Sequence, residues 1–211
     1  MISPSDLTAR SQIRDAALAL FARSGPDAVT VRQIAATAGV SPALVLHHFG
    51  SKQGLRDAVD AHVEGVFDAL LDAPDGALAA VAAGNLPATA SFTDALLASL
   101  PPGSAIPDYL RRLLLTGDPV GRRLFARWFQ LSRDLLAQLD NAGATRPSKD
   151  PEVRAAFLMV NDLAMVLLHE HLADVLGADP LTPEGMGRWA SDAIDAYTAG
   201  VFTEQTREDP S

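Results

Sequence analysis

The sequence predicts an all-α protein, and three observations support this prediction. Apolar residues recur at intervals of three and four along nearly the whole chain, as they do on one face of an α-helix. Period-two alternation and runs of β-branched residues, which indicate strands, are scarce. Clusters of Pro and Gly separate the apolar segments. With 211 residues, the chain is long enough for these helices to bury a substantial core.

Four helices are predicted in the N-terminal third. The first ends at Gly25-Pro26, and its apolar stripe is formed by Ile13, Ala16, Ala17, Leu20 and Phe21. The second is short and stops at Gly39. The third opens at Ser41-Pro42 and runs to about Phe49, and the fourth follows Gly50-Ser51 and continues to about Asp72.

Six further helices are predicted at about 76–84, 91–100, 107–115, 118–142, 150–176 and 182–203. The helix at 118–142 carries a broad apolar face that includes Leu124, Phe125 and Trp128. Residues 152–176 are apolar on most sides, so this helix needs burial on most sides. Core burial within one subunit and contact with a partner subunit both satisfy that need.

Local signals are strongest between residues 29 and 52. Thr30 and Gln33 have the spacing of a capping box at a helix start. Gly39 stands where the chain must reverse, a position that favours a left-handed backbone. Ser41 can cap the next helix, with Pro42 in its first turn. Two short helices joined by such a turn indicate a helix-turn-helix, whose second helix can lie in the major groove of DNA. A plain helical hairpin remains the alternative.

The second helix of this pair has two different faces. Val45 and Phe49 point toward the supporting helices, while the outer face and N-terminal end carry Pro42, Ala43, Leu44 and His47. Small residues there would let the backbone approach base edges, and an exposed Leu44 could pack on a thymine methyl group.

Charge is distributed unevenly along the chain, which has a net charge of −9. Residues 1–60 contain six basic and five acidic residues, whereas residues 61–211 contain 11 basic and 21 acidic residues. This split suggests two parts with different partners. Cys is absent, which excludes disulfides, thiol nucleophiles and Cys-ligated zinc.

Neither a membrane span nor a signal peptide is predicted. The longest apolar run, 77–83, is far too short to cross a bilayer. The N-terminus starts polar and lacks the charged-then-apolar order of a secretory signal. We therefore expect a cytoplasmic protein.

Several stretches within residues 8–55 form a specific combination of motifs: Ile13-Arg14-Asp15-Ala16-Ala17-Leu18-Ala19-Leu20-Phe21, Thr30-Val31-Arg32-Gln33-Ile34-Ala35, Gly39-Val40-Ser41, His48-Phe49, Ser51-Lys52 and Leu55. In this spacing they resemble the N-terminal DNA-binding domain of the TetR family of transcriptional regulators. The resemblance implies an all-α fold with a three-helix helix-turn-helix DNA-binding head at 1–60. It also implies a larger helical effector-binding and dimerisation body at 61–205.

The resemblance implies DNA contacts for nine residues: Thr30, Arg32, Ser41, Pro42, Ala43, Leu44, His47, His48 and Lys52. Thr30 matches a position at a phosphate, and Arg32 a position at a base edge or the backbone. His48 and Lys52 match positions that grip the backbone. The positions of Ser41, Pro42, Ala43 and Leu44 meet base edges, with His47 beside them. Leu46 departs from the family, which commonly has Tyr there to donate to a phosphate. His47 can donate in its place.

The resemblance also implies partners for the body. The last two helices, at about 152–203, are expected to pair with those of a second copy in a four-helix bundle. Two heads about 34–36 Å apart would then read successive major grooves of double-stranded DNA, so the expected operator is near-palindromic.

A small-molecule effector is expected in the body, lined by aromatic, Met and polar residues: Tyr109, Arg112, Phe125, Trp128, Phe129, Asn161, Met165 and His169. Plain core packing is the alternative for each aromatic and Met residue. His169 and His171 are two residues apart and diverge on a helix, so we expect no metal. We also expect no cofactor and no enzymatic activity, since the common catalytic motifs are absent.

Together these patterns predict a dimeric, sequence-specific DNA-binding regulator, a repressor released by a small apolar or amphipathic ligand. One alternative is a helical small-molecule-binding protein, or an enzyme with an apolar cavity, whose head does not bind DNA. Another is a helical module that acts only by protein association.

Overall fold

The computed structural model describes residues 4–71, 100–101 and 103–199, and regular structure within them is entirely α-helical. The helices are α1 Pro4–Ser24, α2 Val31–Thr37, α3 Pro42–Phe49, α4 Lys52–Leu71, α5 Ile106–Leu115, α6 Pro119–Asn141, α7 Pro151–Leu176 and α8 Pro183–Thr198. The all-α prediction is confirmed.

Most predicted helix boundaries lie within one residue of those observed. The first helix is longer than its apolar stripe indicated, because it begins at Pro4. The last helix ends at Thr198, within the predicted 182–203. The predicted helix at 76–84 lies outside the described residues, as does that at 91–100 except for its last residue.

The chain divides into two compact units. The first contains residues 1–73 and 100–134, and the second contains residues 74–99 and 135–211. Helix α4 runs without interruption through residue 60, where the sequence predicts the end of the head. The boundary at residue 60 therefore stays a prediction.

In the first unit, α1 packs against α2, α3, α4 and α5. The core of its N-terminal part consists of side chains with no more than 1% of their surface exposed: Ile13, Ala17, Phe21, Ile34, Ala35, Val45, Leu55, Val59 and Val63. These residues recur at helical spacing on α1 to α4, which explains why the apolar stripe of α1 was visible in the sequence. Burial of this shared face sets the orientation of α2 and α3.

The corner between α5 and α6 depends on Gly121. A Cβ at this position would overlap the backbone carbonyl of Leu113. Only Gly lets the first turn of α6 approach the end of α5 so closely. Leu124 and Trp128 continue the buried face of α6, and the ring of Trp128 meets Phe67 of α4 edge to face.

The prediction that Phe125 shares this buried face is wrong, because its side chain is 39% exposed. Residues i and i+4 of a helix share a face, as Leu124 and Trp128 do, whereas residue i+1 is rotated by about 100°. The apolar run in the sequence was therefore wider than the face that α6 buries.

The first unit contains a buried carboxylate. Asp60 of α4 is 8% exposed, and its Oδ1 accepts a hydrogen bond of 2.6 Å from the Tyr109 hydroxyl of α5. Burial raises the pKa of Asp60, although the Tyr109 hydrogen bond and the Arg56 charge act in the opposite direction. Burial, with the hydrogen bond to Asp60, raises the pKa of Tyr109, so its hydroxyl stays a donor.

Arginines extend this link toward α6. Arg56, one turn before Asp60, pairs with Asp118 just ahead of α6. Asp118 Oδ1 in turn accepts from the Val120 amide at the start of α6. Further along, Arg123 pairs with Glu64 of α4. The Arg123–Glu64 pair is largely exposed and contributes little to stability. The partly buried Arg56–Asp118 pair fixes α4 against the start of α6.

In the second unit, α7 and α8 begin with side-chain caps. Asp150 accepts from the Val153 amide at 3.0 Å, and Thr182 accepts from the Gly185 amide at 3.2 Å. Nη2 of Arg154 on α7 donates to both carboxylate oxygens of Asp140, which lies near the end of α6. These contacts determine where both long helices start.

We predict that Tyr109→Phe destabilises the protein by about 1–3 kcal/mol, because it leaves the buried Asp60 carboxylate without its hydroxyl donor. Urea denaturation followed by circular dichroism measures this change. In an Asp60→Leu background the same substitution is expected to cost less, since no buried carboxylate then lacks a donor. A Tyr109→Phe protein as stable as the parent would show that the hydrogen bond contributes nothing.

Candidate nucleic-acid interface

Side-chain caps define the turn between α2 and α3. Thr30 Oγ1 accepts from the Gln33 amide at 3.3 Å, and the Gln33 side chain accepts from the Thr30 amide at 2.8 Å, which confirms the capping box. Gly39 has a φ of +69°, as its predicted turn position requires. Ser41 Oγ accepts from the Leu44 amide at 3.2 Å and begins α3. The helix-turn-helix is therefore built from local hydrogen bonds.

The exposed face of α3 is narrow. At about 100° per residue, Pro42, Leu46, Ala43 and His47 fall in this order on an arc of about 140°, and these four are the exposed residues of the helix. Val45 is fully buried on the opposite side. Leu44, which the sequence places on the outer face, is partly buried together with His48 and Phe49.

Two cations predicted to contact DNA have different surroundings. Arg32 is exposed in the first turn of α2, and its side chain makes no ion pair or hydrogen bond within the described part of the chain. Lys52 is partly buried at the start of α4, and its Nζ donates to the backbone carbonyl of Asp27 at 3.2 Å. Its ammonium group has three donors, so two stay available for an anion.

The two predicted histidines also differ. His47 is exposed, and the His48 ring stands edge to face with it and with Phe49. His48 Nε2 is buried and has no hydrogen-bond partner among the described residues. That nitrogen reaches a phosphate only if the ring turns. The guanidinium of Arg10 lies over the Phe49 ring at 5.3 Å, and so joins α1 to the end of α3.

The predicted effector residues divide between the two units. In the first unit, Tyr109, Trp128 and Arg112 have structural partners. Tyr109 donates to Asp60, and Trp128 packs on Phe67. Phe125 is exposed and Phe129 is partly buried.

Arg112 caps the C-terminus of α1. Its Nε donates to the carbonyl of Ala22 at 3.0 Å, and its Nη2 donates to the carbonyl of Arg23 at 2.9 Å. The last carbonyls of a helix lack partners within the helix, and a guanidinium beside them also favours the negative end of the helix dipole. Sequence spacing could not indicate this contact, because the two partners are about 90 residues apart.

In the second unit, Met165 is buried and His169 lies 3.6 Å from Asp179. Asn161 lines a groove of about 510 Å³ between α7 and α8. The groove is lined by Phe157, Asn161, Leu176, Ala178, Pro180, Gly185, Arg188, Trp189, Asp192, Ala193, Ala196 and Tyr197. Trp189 Nε1 is buried and lacks an acceptor among the described residues, a feature that the sequence analysis missed.

Within the described ranges, no three His, Asp or Glu side chains are grouped to hold a metal ion. No helix there is long and apolar enough to cross a membrane.

Two family models match the chain. One, described as bacterial regulatory proteins of the tetR family, matches residues 13–59 and includes α2 and α3. The other, described as the tetracyclin repressor-like C-terminal domain, matches residues 105–203. The HTH-type transcriptional regulatory protein RaaS of Mycobacterium tuberculosis is 33% identical over 209 residues, which cover 95% of this chain and 90% of RaaS. The chain belongs to the TetR family.

As a TetR-family member, the protein is a DNA-binding transcriptional regulator of the helix-turn-helix class. Regulators of this family act as dimers, and they are not enzymes. Another relative, the HTH-type transcriptional repressor Rv3405c of M. tuberculosis, is 30% identical over 186 residues, or 86% of this chain and 85% of the relative.

Solved structures share the TetR fold. GusR of Salmonella enterica matches with a TM-score of 0.55 at 16% identity, covering 92% of this chain and 96% of GusR. A gamma-butyrolactone receptor, described as ArpA-like, matches with a TM-score of 0.56 at 22% identity, covering 91% and 97%. At these identities the likeness concerns the fold alone.

We predict that Arg112→Met destabilises the protein by about 1–3 kcal/mol, because two carbonyls at the end of α1 lose a charged donor. Thermal and urea unfolding measure the change. Arg23→Met is the matched control, since the Arg23 side chain is exposed and its contact with Arg112 uses only the backbone carbonyl. Equal losses for the two variants would contradict the capping role of Arg112.

Proposed function

We propose that this TetR-family protein is a dimeric repressor that binds a near-palindromic operator through α2 and α3. The observation that carries the proposal is the exposed N-terminal part of α3 together with the exposed Arg32 of α2, whose side chain has no partner among the described residues. An α-helix presented this way fits the major groove, and a cation beside it meets the phosphates. The relative Rv3405c, which is 30% identical and is named a repressor, supports repression rather than activation.

The proposed DNA contacts are those expected from the sequence: Thr30, Arg32, Ser41, Pro42, Ala43, Leu44, His47, His48 and Lys52. Pro42, Ala43 and His47 are exposed on α3, in line with base contacts. Arg32 and the two free donors of Lys52 suit phosphates. Leu44 and His48, which are partly buried, would contact DNA only at the margin of the interface.

The proposed dimer interface lies on α7 and α8. Large apolar side chains remain exposed along one arc of α7: Val153, Phe157, Val160, Leu168 and Val175. At about 100° per residue they lie within roughly 80° of one another. Such a stripe on a helix is typical of a protein–protein interface, and burial against the same stripe of a second copy would remove it from water.

A small apolar or amphipathic effector is proposed to release the protein from DNA. The groove between α7 and α8 has a volume typical of small-molecule sites. Its walls combine Phe157 and Trp189 with the polar Asn161 and Asp192. The Trp189 N–H, which has no acceptor within the described part of the chain, suits a ligand that carries one. Because the target is DNA, we place the regulator in the cytoplasm, and we propose no catalytic chemistry for it.

We predict that Arg32→Ala weakens binding to the DNA upstream of the protein's own gene. A lost phosphate contact would lower the slope of log affinity against log salt by about one, and a lost base contact would cost about 1–3 kcal/mol. Fluorescence anisotropy titrations at several salt concentrations measure both quantities.

Arg133→Ala is the control for Arg32, because Arg133 is a half-exposed arginine of α6 that pairs with the adjacent Asp134. Unchanged binding by Arg32→Ala would contradict its proposed contact. Equal affinity for upstream and random DNA would instead favour a small-molecule-binding protein whose head does not read DNA.

We also predict that Phe157→Glu converts the dimer to a monomer, since a charge would be placed in an apolar interface. Light scattering coupled to size exclusion measures the mass. Leu115→Glu is a closely matched control, because Leu115 and Phe157 are both 65% exposed but Leu115 lies on α5. A Phe157→Glu protein that remains dimeric, with native circular dichroism, would place the interface elsewhere.

A further inference from the structure

The DNA-facing surface of α3 is almost without hydrogen-bonding groups. Of its four exposed residues, Pro42, Ala43 and Leu46 are apolar, and only His47 can donate or accept. Pro42 lacks a backbone N–H, and Ser41, which lies just before the helix, accepts from the Leu44 amide and keeps its one O–H donor. The helix contains none of the residues that read bases through paired hydrogen bonds, namely Arg, Lys, Asn and Gln.

Leu46 lies within this surface rather than at its edge. It falls between Pro42 and Ala43 on the exposed arc and is 45% exposed. A single exposed leucine is ordinary on a protein surface. Here it belongs to an arc of three apolar side chains, on the element that the fold presents to DNA.

The arc is held in a defined orientation. Val45 is fully buried on the opposite side of α3, and the Ser41 cap fixes where the helix begins. Phe49, at the end of α3, lies under the Arg10 guanidinium. Arg32 is exposed on the preceding helix α2, which packs against α3, and its positive charge suits the acidic backbone of DNA.

In the major groove, the distinctive apolar feature of a base edge is the C5 methyl group of thymine. A surface of Pro, Ala and Leu gains free energy by burying such methyl groups and gains nothing from the donors and acceptors of G·C pairs. We propose that the regulator recognises its operator chiefly through thymine methyl groups, with Leu46 and Ala43 as the specificity-determining side chains. This proposal rests on the proposed DNA-binding function of α3 and identifies the chemical group that the helix reads.

The test first selects high-affinity duplexes from a random library with the full-length dimer. Each thymine of the selected half-site is then replaced by deoxyuridine, which removes the methyl group and keeps every base-pair hydrogen bond. We expect the half-site to contain thymines whose replacement weakens binding about fourfold each, the effect of exposing one buried methyl group. Replacement of thymines in the flanking DNA is the control and should have no effect.

A double-mutant cycle assigns the contact to Leu46. In Leu46→Ala, binding is weaker, and deoxyuridine at the thymine that Leu46 contacts should no longer reduce affinity. Leu115→Ala is the matched control, because Leu115 is an exposed leucine outside α3, and this variant should retain the full deoxyuridine effect.

The outcomes separate the two proposals. If no sequence is enriched, the proposed function fails and this inference fails with it. If a specific operator is selected but deoxyuridine leaves the affinity unchanged, the function stands and methyl recognition is wrong. If deoxyuridine weakens binding equally in the parent and in Leu46→Ala, then Leu46 is not the residue that reads the methyl group.

Discussion

The buried carboxylate of Asp60 must have a hydrogen-bond donor, and this requirement joins the connecting helix α4 to α5. The donor is the hydroxyl of Tyr109. One turn later on α5, Arg112 caps the end of α1. The same short helix therefore holds both α4, which follows the recognition helix directly, and α1, which supports it. A displacement of α5 would break a charged or buried hydrogen bond at each contact, so α1 and α4 are coupled to α5 by polar contacts with strict geometry.

Positive charge is scarce in the part of the chain that contains the helix-turn-helix. The net charge of −9 comes from residues 61–211, whereas residues 1–60 are close to neutral. Within residues 1–60, Arg14 and Arg56 are paired with carboxylates and Lys52 is partly buried, so the exposed basic residues are Arg10, Arg23 and Arg32. Electrostatic attraction to DNA is then modest, and discrimination must depend more on contacts of the recognition helix. The proposed apolar surface of α3 is consistent with weak electrostatic attraction, because such a surface adds affinity only where thymine methyl groups fit against it.

The candidate interface was predicted in part. The caps at Thr30 and Ser41 follow from side chains three residues apart, so the sequence was sufficient for them. The exposed residues of α3 were less predictable. The outer face was expected to include Leu44, yet Leu46 is the more exposed of the two. A helix of eight residues is too short for its sequence pattern to show which residues lie at the boundary between the buried and exposed faces. The packing of α3 against α1, α2 and α4 decides that rotation.

The sequence by itself determined the helices, their caps and the class of the protein, because these depend on residues a few positions apart and on family motifs. Contacts between distant residues were decided only by the tertiary structure. Arg112 and Tyr109 were expected to line an effector pocket, and nothing in their spacing indicated that they bind the end of α1 and Asp60. Likewise, the apolar run of α6 does not reveal that Phe125 faces water. Which side chains are buried or paired depends on which helix faces pack together. The periodicity of the sequence shows that a helix has an apolar face, but it does not show which helix packs against that face.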